Sequence, residues 1–297
     1  MDGVLVVDKP EGPTSHDIVT WCRRRLATRA VGHTGTLDPM ATGVLVLVIG
    51  RATRLAQFLS GQSKAYDATI RLGLSTDTWD RTGAAVPPAY GGPWPDRAAI
   101  AACLSGMTGA RPQVPPPYSA KKVDGERAHR LARSGKAVSV EPAMVELHEC
   151  AIVALEPPLV HVRLRSSAGF YVRSLAQELG RTLGCGACLE SLRRTASGAF
   201  TLAEAADLAV LEADPAAATS RVIPLERLLP DLPAVHLDEA AARRAGHGNE
   251  VTLPDGAADP ALDLAPAVRL FDPEGRLLAI ARRTERPGVL HPAVVLK

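Results

Sequence analysis

One acid, Asp38, stands in a stretch of twelve residues, GHTGTLDPMATG (32–43), that also holds three glycines, three threonines and a histidine. Turn residues this dense exclude a helix and a regular strand, so the stretch reads as a loop. Taken alone, Asp38 before Pro39 is an Asx-turn acid that bonds nearby backbone N–H groups. The chemical alternative is a reactive carboxylate. Tyr66, in KAYDATIRLG (64–73), shares a face with Ala68, Ile70 and Leu72 and suits a core. Arg173, in SSAGFYVRSLAQELG (166–180), suits a solvated helix charge. Singly, each bland reading is the stronger one. An acid, an aromatic face and a guanidinium brought to one place would be a different matter.

Other chemistries are poorly served. A P-loop needs Lys directly after its last glycine, and Val44 follows Gly43; nor is there a GxGxxG in the loop. Cys185 and Cys188 form a CxxC, but the chain has no second CxxC and no HxxxH, so two small packed thiols are the expectation and no metal site is assigned. The histidines outside the loop (16, 129, 148, 161, 236, 247 and 291) have no ligand spacing, and no Ser–His or Cys–His pair stands out.

The elements that must hold these residues follow from pattern. GVLVVD (3–8) reads as a strand, and Thr14 or Ser15 caps a helix that carries Asp17 in its first turn and Arg23, Arg24 and Arg25 further on. The run 44–49 is a buried strand, with a short helix across 53–60. KAYDATIRLG alternates with period two and is a strand. A helix is expected near 96–106, and strands at VELHECAIVAL and LVHVRLRS (159–166). PQVPPPYSAKKVDGERAHRLARSGK (112–136) starts too rich in proline for regular structure and turns basic, with Lys121, Lys122, Arg127, Arg130, Arg133 and Lys136. A linker is expected near residue 230, and a hairpin over 268–282 turning at Asp272–Gly275.

Length and composition bound the answer. A chain of 297 residues suits one large and one small domain. Its longest apolar run is far too short for a bilayer, and MDGVLVVDKP lacks the basic flank of a signal peptide. Reduced thiols in a cytoplasm are the expectation for its five cysteines. Residues 1–200 carry 24 Lys and Arg against 17 Asp and Glu; residues 201–297 carry 10 against 15. The body is basic and the tail acidic, which suits a polyanionic partner for the body.

In chain order, VVDKPEGPTS, GHTGTLDPMATGVLVLVIGRATR, KAYDATIRLG and SSAGFYVRSLAQELG followed by LGCGACLESLRR resemble the TruB-type family of bacterial tRNA pseudouridine-55 synthases, in register from residue 3 to about 200. The resemblance places Lys9 and Pro10 in the family's first motif, Asp38 on its catalytic aspartate, Tyr66 on its active-site tyrosine, and Tyr171, Arg173 and Leu192 in its third motif. It implies an α+β fold: a catalytic domain (1–230) on a mixed, largely antiparallel sheet flanked by helices, then a small PUA-like β-barrel (235–297). It implies a monomer that isomerises uridine-55 in the T stem-loop of tRNA, with no cofactor and no obligatory protein partner. The rivals are a guide-dependent rRNA synthase resembling dyskerin and a non-catalytic RNA chaperone of the same fold.

Within that resemblance the residue types acquire tasks. Asp38 is the nucleophile, and Arg173 holds it ionised against desolvation. Tyr66 stacks on the detached uracil and is the candidate base for the C5 proton. His33 fills the gap left by the flipped base, and the basic 121–136 stretch, with Lys121, Lys122 and Arg127, clamps the T-arm. Residues two apart on a helix point about 200° from each other, so for Tyr171 and Arg173 both to face a pocket, YVR must be extended and the helix start near Ser174.

Overall fold

The computed structural model describes residues 1–119, 122–123, 126–127, 141–253, 262 and 264–296. In chain order the first half runs β1 (Gly3–Lys9), α1 (Ser15–Arg25), β2 (Val31–His33), β3 (Thr42–Ile49), α2 (Ala56–Ser60), β4 (Lys64–Leu72), β5 (Ser75–Thr76), β6 (Ala85–Val86), α3 (Arg97–Gly106) and β7 (Gly109–Gln113). There follow β8 (Lys122–Val123), β9 (Glu126–Arg127), β10 (Ala143–Glu156), β11 (Leu159–Ser166), α4 (Val172–Thr182), β12 (Ala187–Ser197), β13 (Phe200–Thr201), β14 (Ala206–Asp207), α5 (Leu208–Ala213), α6 (Pro215–Ser220) and β15 (Ile223–Pro224). The last part is β16 (Ala234–His236), α7 (Glu239–Gly246), β17 (Val251–Thr252), β18 (Val268–Phe271), β19 (Leu277–Arg283) and β20 (Val289–Val295).

One sheet carries the site. Its order is β14-β1-β3-β12-β4-β11-β10-β7, with β2, β13 and β15 as side branches. Pairing is antiparallel except for β1 with β14 and β3 with β12, so the sheet is mixed and largely antiparallel. A second sheet, β16-β18-β19-β20-β17, forms the PUA-like half-barrel at the end of the chain. No helix among the described residues is long and apolar enough to cross a membrane.

Hydrophobic pattern explains which strands are central. β3 is apolar at every position from Val44 because both of its faces are covered. Leu45, Leu47 and Ile49 join the core under α1 and α4, whereas Val44, Val46 and Val48 join a second core. That second core includes Phe271, Leu277, Ile280 and Leu296, so the C-terminal sheet covers the far face of β1 and β3. β4 alternates because only one face is packed: Lys64, Tyr66, Ala68, Ile70 and Leu72 are buried and the residues between them are not.

Four expectations need correction. The 32–43 loop is strand at both ends: Gly32 and His33 pair with Val48 and Leu47, and Thr42 and Gly43 open β3. A partner strand supplies hydrogen bonds that local composition cannot foresee. Residues 109–113 form a strand despite Pro112, because β7 is an edge strand where a missing N–H is tolerated. The segment near 230 is no free linker, since Leu225, Leu228 and Leu229 are buried in the shared core. Finally, α4 starts at Val172, and only Tyr171 before it is extended, with φ −111° and ψ 115°.

Candidate active site

Asp38 ends a loop that is braced from three sides. Ser15, at the start of α1, donates from Oγ to the Leu37 carbonyl at 3.1 Å and accepts from the Leu37 N–H at 2.8 Å. The helix itself is fixed by a capping box between Thr14 and Asp17. Lys9, fully buried, donates from Nζ to the carbonyls of Pro10 and Pro13 at 2.8 Å and of Pro39 at 3.3 Å. From the other side Arg194 on β12, 2% exposed, donates to the carbonyls of Val44, Thr36 and Gly35 at 2.7, 3.3 and 3.0 Å.

The carboxylate of Asp38 turns to Arg173 on α4. Nη2 of Arg173 donates to Oδ1 at 3.0 Å, and Nε lies 2.8 Å from Oδ2 without its N–H aimed there, so that second contact is purely electrostatic. Arg173 is 5% exposed and is no solvated helix charge. It also donates to the carbonyls of Thr78 (3.1 Å) and Tyr118 (3.0 Å) and stands 3.8 Å from the buried Asp80. Asp80 is held in turn by Thr78 Oγ1 and by the N–H and Oγ1 of Thr82. A guanidinium shared between two carboxylates is the centre of the arrangement.

These groups line one cavity of about 290 Å³, near the lower end of the roughly 300–1,000 Å³ of small-ligand sites. Its walls include Asp38, Tyr66, Tyr171, Arg173, Leu192 and Arg194. Asp38 is surrounded by protein, yet 31% of its side chain remains open on the cavity side. Burial raises its pKa most, Arg173 opposes this, and the neighbouring Asp80 adds a further upward push, so the net shift is upward. The expectation that Arg173 reverses the desolvation effect is therefore corrected: it offsets the push without overcoming it. The Tyr66 phenol is raised by burial, with Arg194 donating a hydrogen bond that opposes the rise and Asp38 reinforcing it. Lys64, beside Arg194 at the cavity wall, is lowered to about 8 by burial and then by that arginine.

The other sequence candidates are placed differently. Lys9 is a buried strut for the Asp38 loop, and Pro10 is exposed just after β1 with its carbonyl on Lys9. His33 ends β2 one residue before the cavity-lining Thr34; its Nδ1 is buried without a partner, and burial lowers its pKa. Lys122 is paired in backbone register with Arg127 where β8 meets β9. Lys121 and most of the expected clamp, 128–136 included, lie outside the described residues. Cys185 and Cys188 are buried free thiols, their pKa raised by burial. Sequence reasoning missed Arg194, Lys64 and Asp80. The first two carried a signal: a charged residue on the buried face of an alternating strand. Asp80, in TDTWDRTG, carried none.

Comparison with known proteins supplies the family. The model of the TruB family pseudouridylate synthase N-terminal domain matches residues 23–172, and that of the tRNA pseudouridylate synthase B C-terminal domain matches residues 173–230. The chain is 42% identical over 307 residues to tRNA pseudouridine synthase B of Solibacter usitatus, covering all of both chains. It is 44% identical over 305 residues to the protein of that name from Thermobifida fusca, covering 99% of this chain and 98% of the other. Among solved structures it resembles a chain of a Cbf5–Nop10–Gar1 complex, with a TM-score of 0.73 and 25% identity over 99% of this chain and 85% of that one. Family models across most of the chain and full-length relatives above 40% identity leave one conclusion: the chain belongs to the TruB family of pseudouridylate synthases.

Proposed function

We propose that this enzyme isomerises one uridine of tRNA, uridine-55 in the T-loop, to pseudouridine, working in the cytoplasm as a monomer without a guide RNA. The observation that carries the reading is the Asp38 carboxylate, open to a cavity of one-residue size and paired to a buried guanidinium. Tyr66 and Leu192 offer the flat and apolar walls a free base needs. In this reading the uridine is flipped out of the folded loop, at a cost of a few kcal/mol. Asp38 supplies the nucleophile that lets the C1′–N1 bond break, and the base turns in place. C1′ then rejoins C5, and the C5 proton leaves, with Tyr66 as its candidate acceptor. Arg173 keeps the carboxylate directed at the substrate through both steps. His33 serves as the wedge in the vacated T-loop, and the basic stretch with Lys121, Lys122 and Arg127 grips phosphates.

The guide-dependent alternative draws on the structural likeness to Cbf5, but at 25% identity that likeness is much weaker than the 42–44% shared with proteins named for tRNA. The test is to treat unmodified tRNA with the protein alone and map pseudouridine by carbodiimide adduct and primer extension. One new stop is expected, one nucleotide 3′ of position 55. Modification elsewhere in the tRNA, or only when a guide RNA is added, overturns the reading.

A further inference from the structure

Tyr171 occupies the N-cap of α4, and its side chain makes no capping bond to the helix. Its backbone is fixed from outside instead. The Tyr171 N–H donates to Oε1 of Gln113 at 2.8 Å, and Nε2 of Gln113 donates to the Tyr171 carbonyl at 3.1 Å. One side-chain amide thus does for Tyr171 what a neighbouring strand does for a ladder residue. Gln113 is the last residue of β7 and is 4% exposed. Further ties join the same turn to the residues that follow it. Ser174 Oγ donates to the Val114 carbonyl at 2.8 Å, and Arg173 Nη2 donates to the Tyr118 carbonyl at 3.0 Å.

We propose that Gln113 is a positioning residue: by holding Tyr171 extended it sets the first turn of α4, and with it the approach of Arg173 to Asp38 and the entry of Tyr171 into the cavity. The geometry requires such a hold. Inside a helix, residues two apart diverge by about 200°, so Tyr171 and Arg173 share the cavity only while Tyr171 stays out of the helix. With no capping bond from its own side chain, Tyr171 has no local reason to stop the helix there. Released from Gln113, the helix gains a route to extend by one residue, turning Tyr171 away and shifting Arg173. Misplacement on the order of 1 Å costs about a hundredfold in rate when reacting groups depend on alignment.

The inference rests on reading the cavity as the pseudouridine-forming centre. Gln113→Met keeps length and loses both hydrogen bonds; Ser174→Ala removes a second, independent tie of the same turn. Single-turnover tritium release from C5-labelled tRNA, measured against pH beside tRNA affinity, separates the roles. The groups facing Asp38 are Arg173, Asp80, Lys9 and the phenols of Tyr66 and Tyr171, and neither substitution changes their number or kind. A displaced Arg173 lets the carboxylate hold its proton to higher pH. The expected result is a rate loss of about tenfold or more in Gln113→Met, tRNA affinity within about twofold, and an acid limb moved to higher pH in both variants. Full activity, or a rate loss with an unmoved limb, overturns the proposal. Should Gln113→Met fail to fold, an unmoved limb in Ser174→Ala does the same. A wild-type enzyme that releases no tritium would instead reject the reading of the site.

Discussion

Asp38 works against its surroundings. Burial and the second carboxylate, Asp80, both favour its protonated form, and Arg173 alone among its neighbours makes two close contacts to hold it charged. In the proposed mechanism the acid reacts in its ionised form, so activity is expected to fall as pH drops through the Asp38 pKa. With that pKa raised, the loss begins at higher pH than for an ordinary aspartate near 3.9. The acid limb of kcat/KM is therefore expected above that value, and Asp80→Asn, which removes one upward push, should move it down. A limb at the ordinary value, unmoved by Asp80→Asn, would show that Arg173 dominates after all. At this scale the sequence was a good guide to which residues meet in the cavity and a poor guide to their balance. Asp38, Tyr66 and Arg173 could be picked out by motif, whereas Asp80 and Arg194 act only because the chain brings them there from 42 and 156 residues beyond Asp38.

Elements position the site through their ends. β1 ends at Lys9, α1 begins at Ser15, β12 carries Arg194 towards its end, and each contributes a brace to the loop that carries Asp38. The alternation of β4 and the capped start of α1 were readable because they are written within ten residues. The strand pairing of Gly32 and His33 was not, since its hydrogen bonds come from Val48 and Leu47. The start of α4 lies two residues before the expected one, because a single extended residue, Tyr171, is enough to bring its side chain and that of Arg173 to one cavity. Lys9, a motif residue, turns its ammonium to backbone carbonyls. Lys9→Met leaves three carbonyls short of a donor and should cost about 2–4 kcal/mol of stability. The measurement is urea unfolding beside tRNA affinity. A loss of affinity with unchanged stability would return Lys9 to the RNA interface.

At the scale of the whole molecule, the two sheets share a core. Val4, Val6, Val44 and Val48 from the catalytic sheet pack with Phe271, Leu277 and Ile280 from the C-terminal one. Arg51 donates to the Leu296 carbonyl at 3.0 Å, and Arg54 donates to that of Val295. The acidic balance of residues 201–297 thus belongs to a part of the chain that shields the central strands. Ile280→Ala, at a fully buried position, should destabilise by about 2–5 kcal/mol and shift one unfolding transition seen by both calorimetry and activity loss. Two separated transitions, with the catalytic part untouched, would mean that the sheets fold independently.

The central claim is that the Asp38 carboxylate performs the chemistry and is not needed to hold the RNA. Asp38→Asn preserves shape and removes the charge, so the direct measurement is tritium release from C5-labelled tRNA by this variant and by wild type, at concentrations set from each protein's measured tRNA affinity. The account predicts no release by Asp38→Asn above the uncatalysed background, with tRNA affinity within about tenfold of wild type, or ~1.4 kcal/mol. Release near the wild-type rate would contradict it and move the nucleophile elsewhere in the cavity.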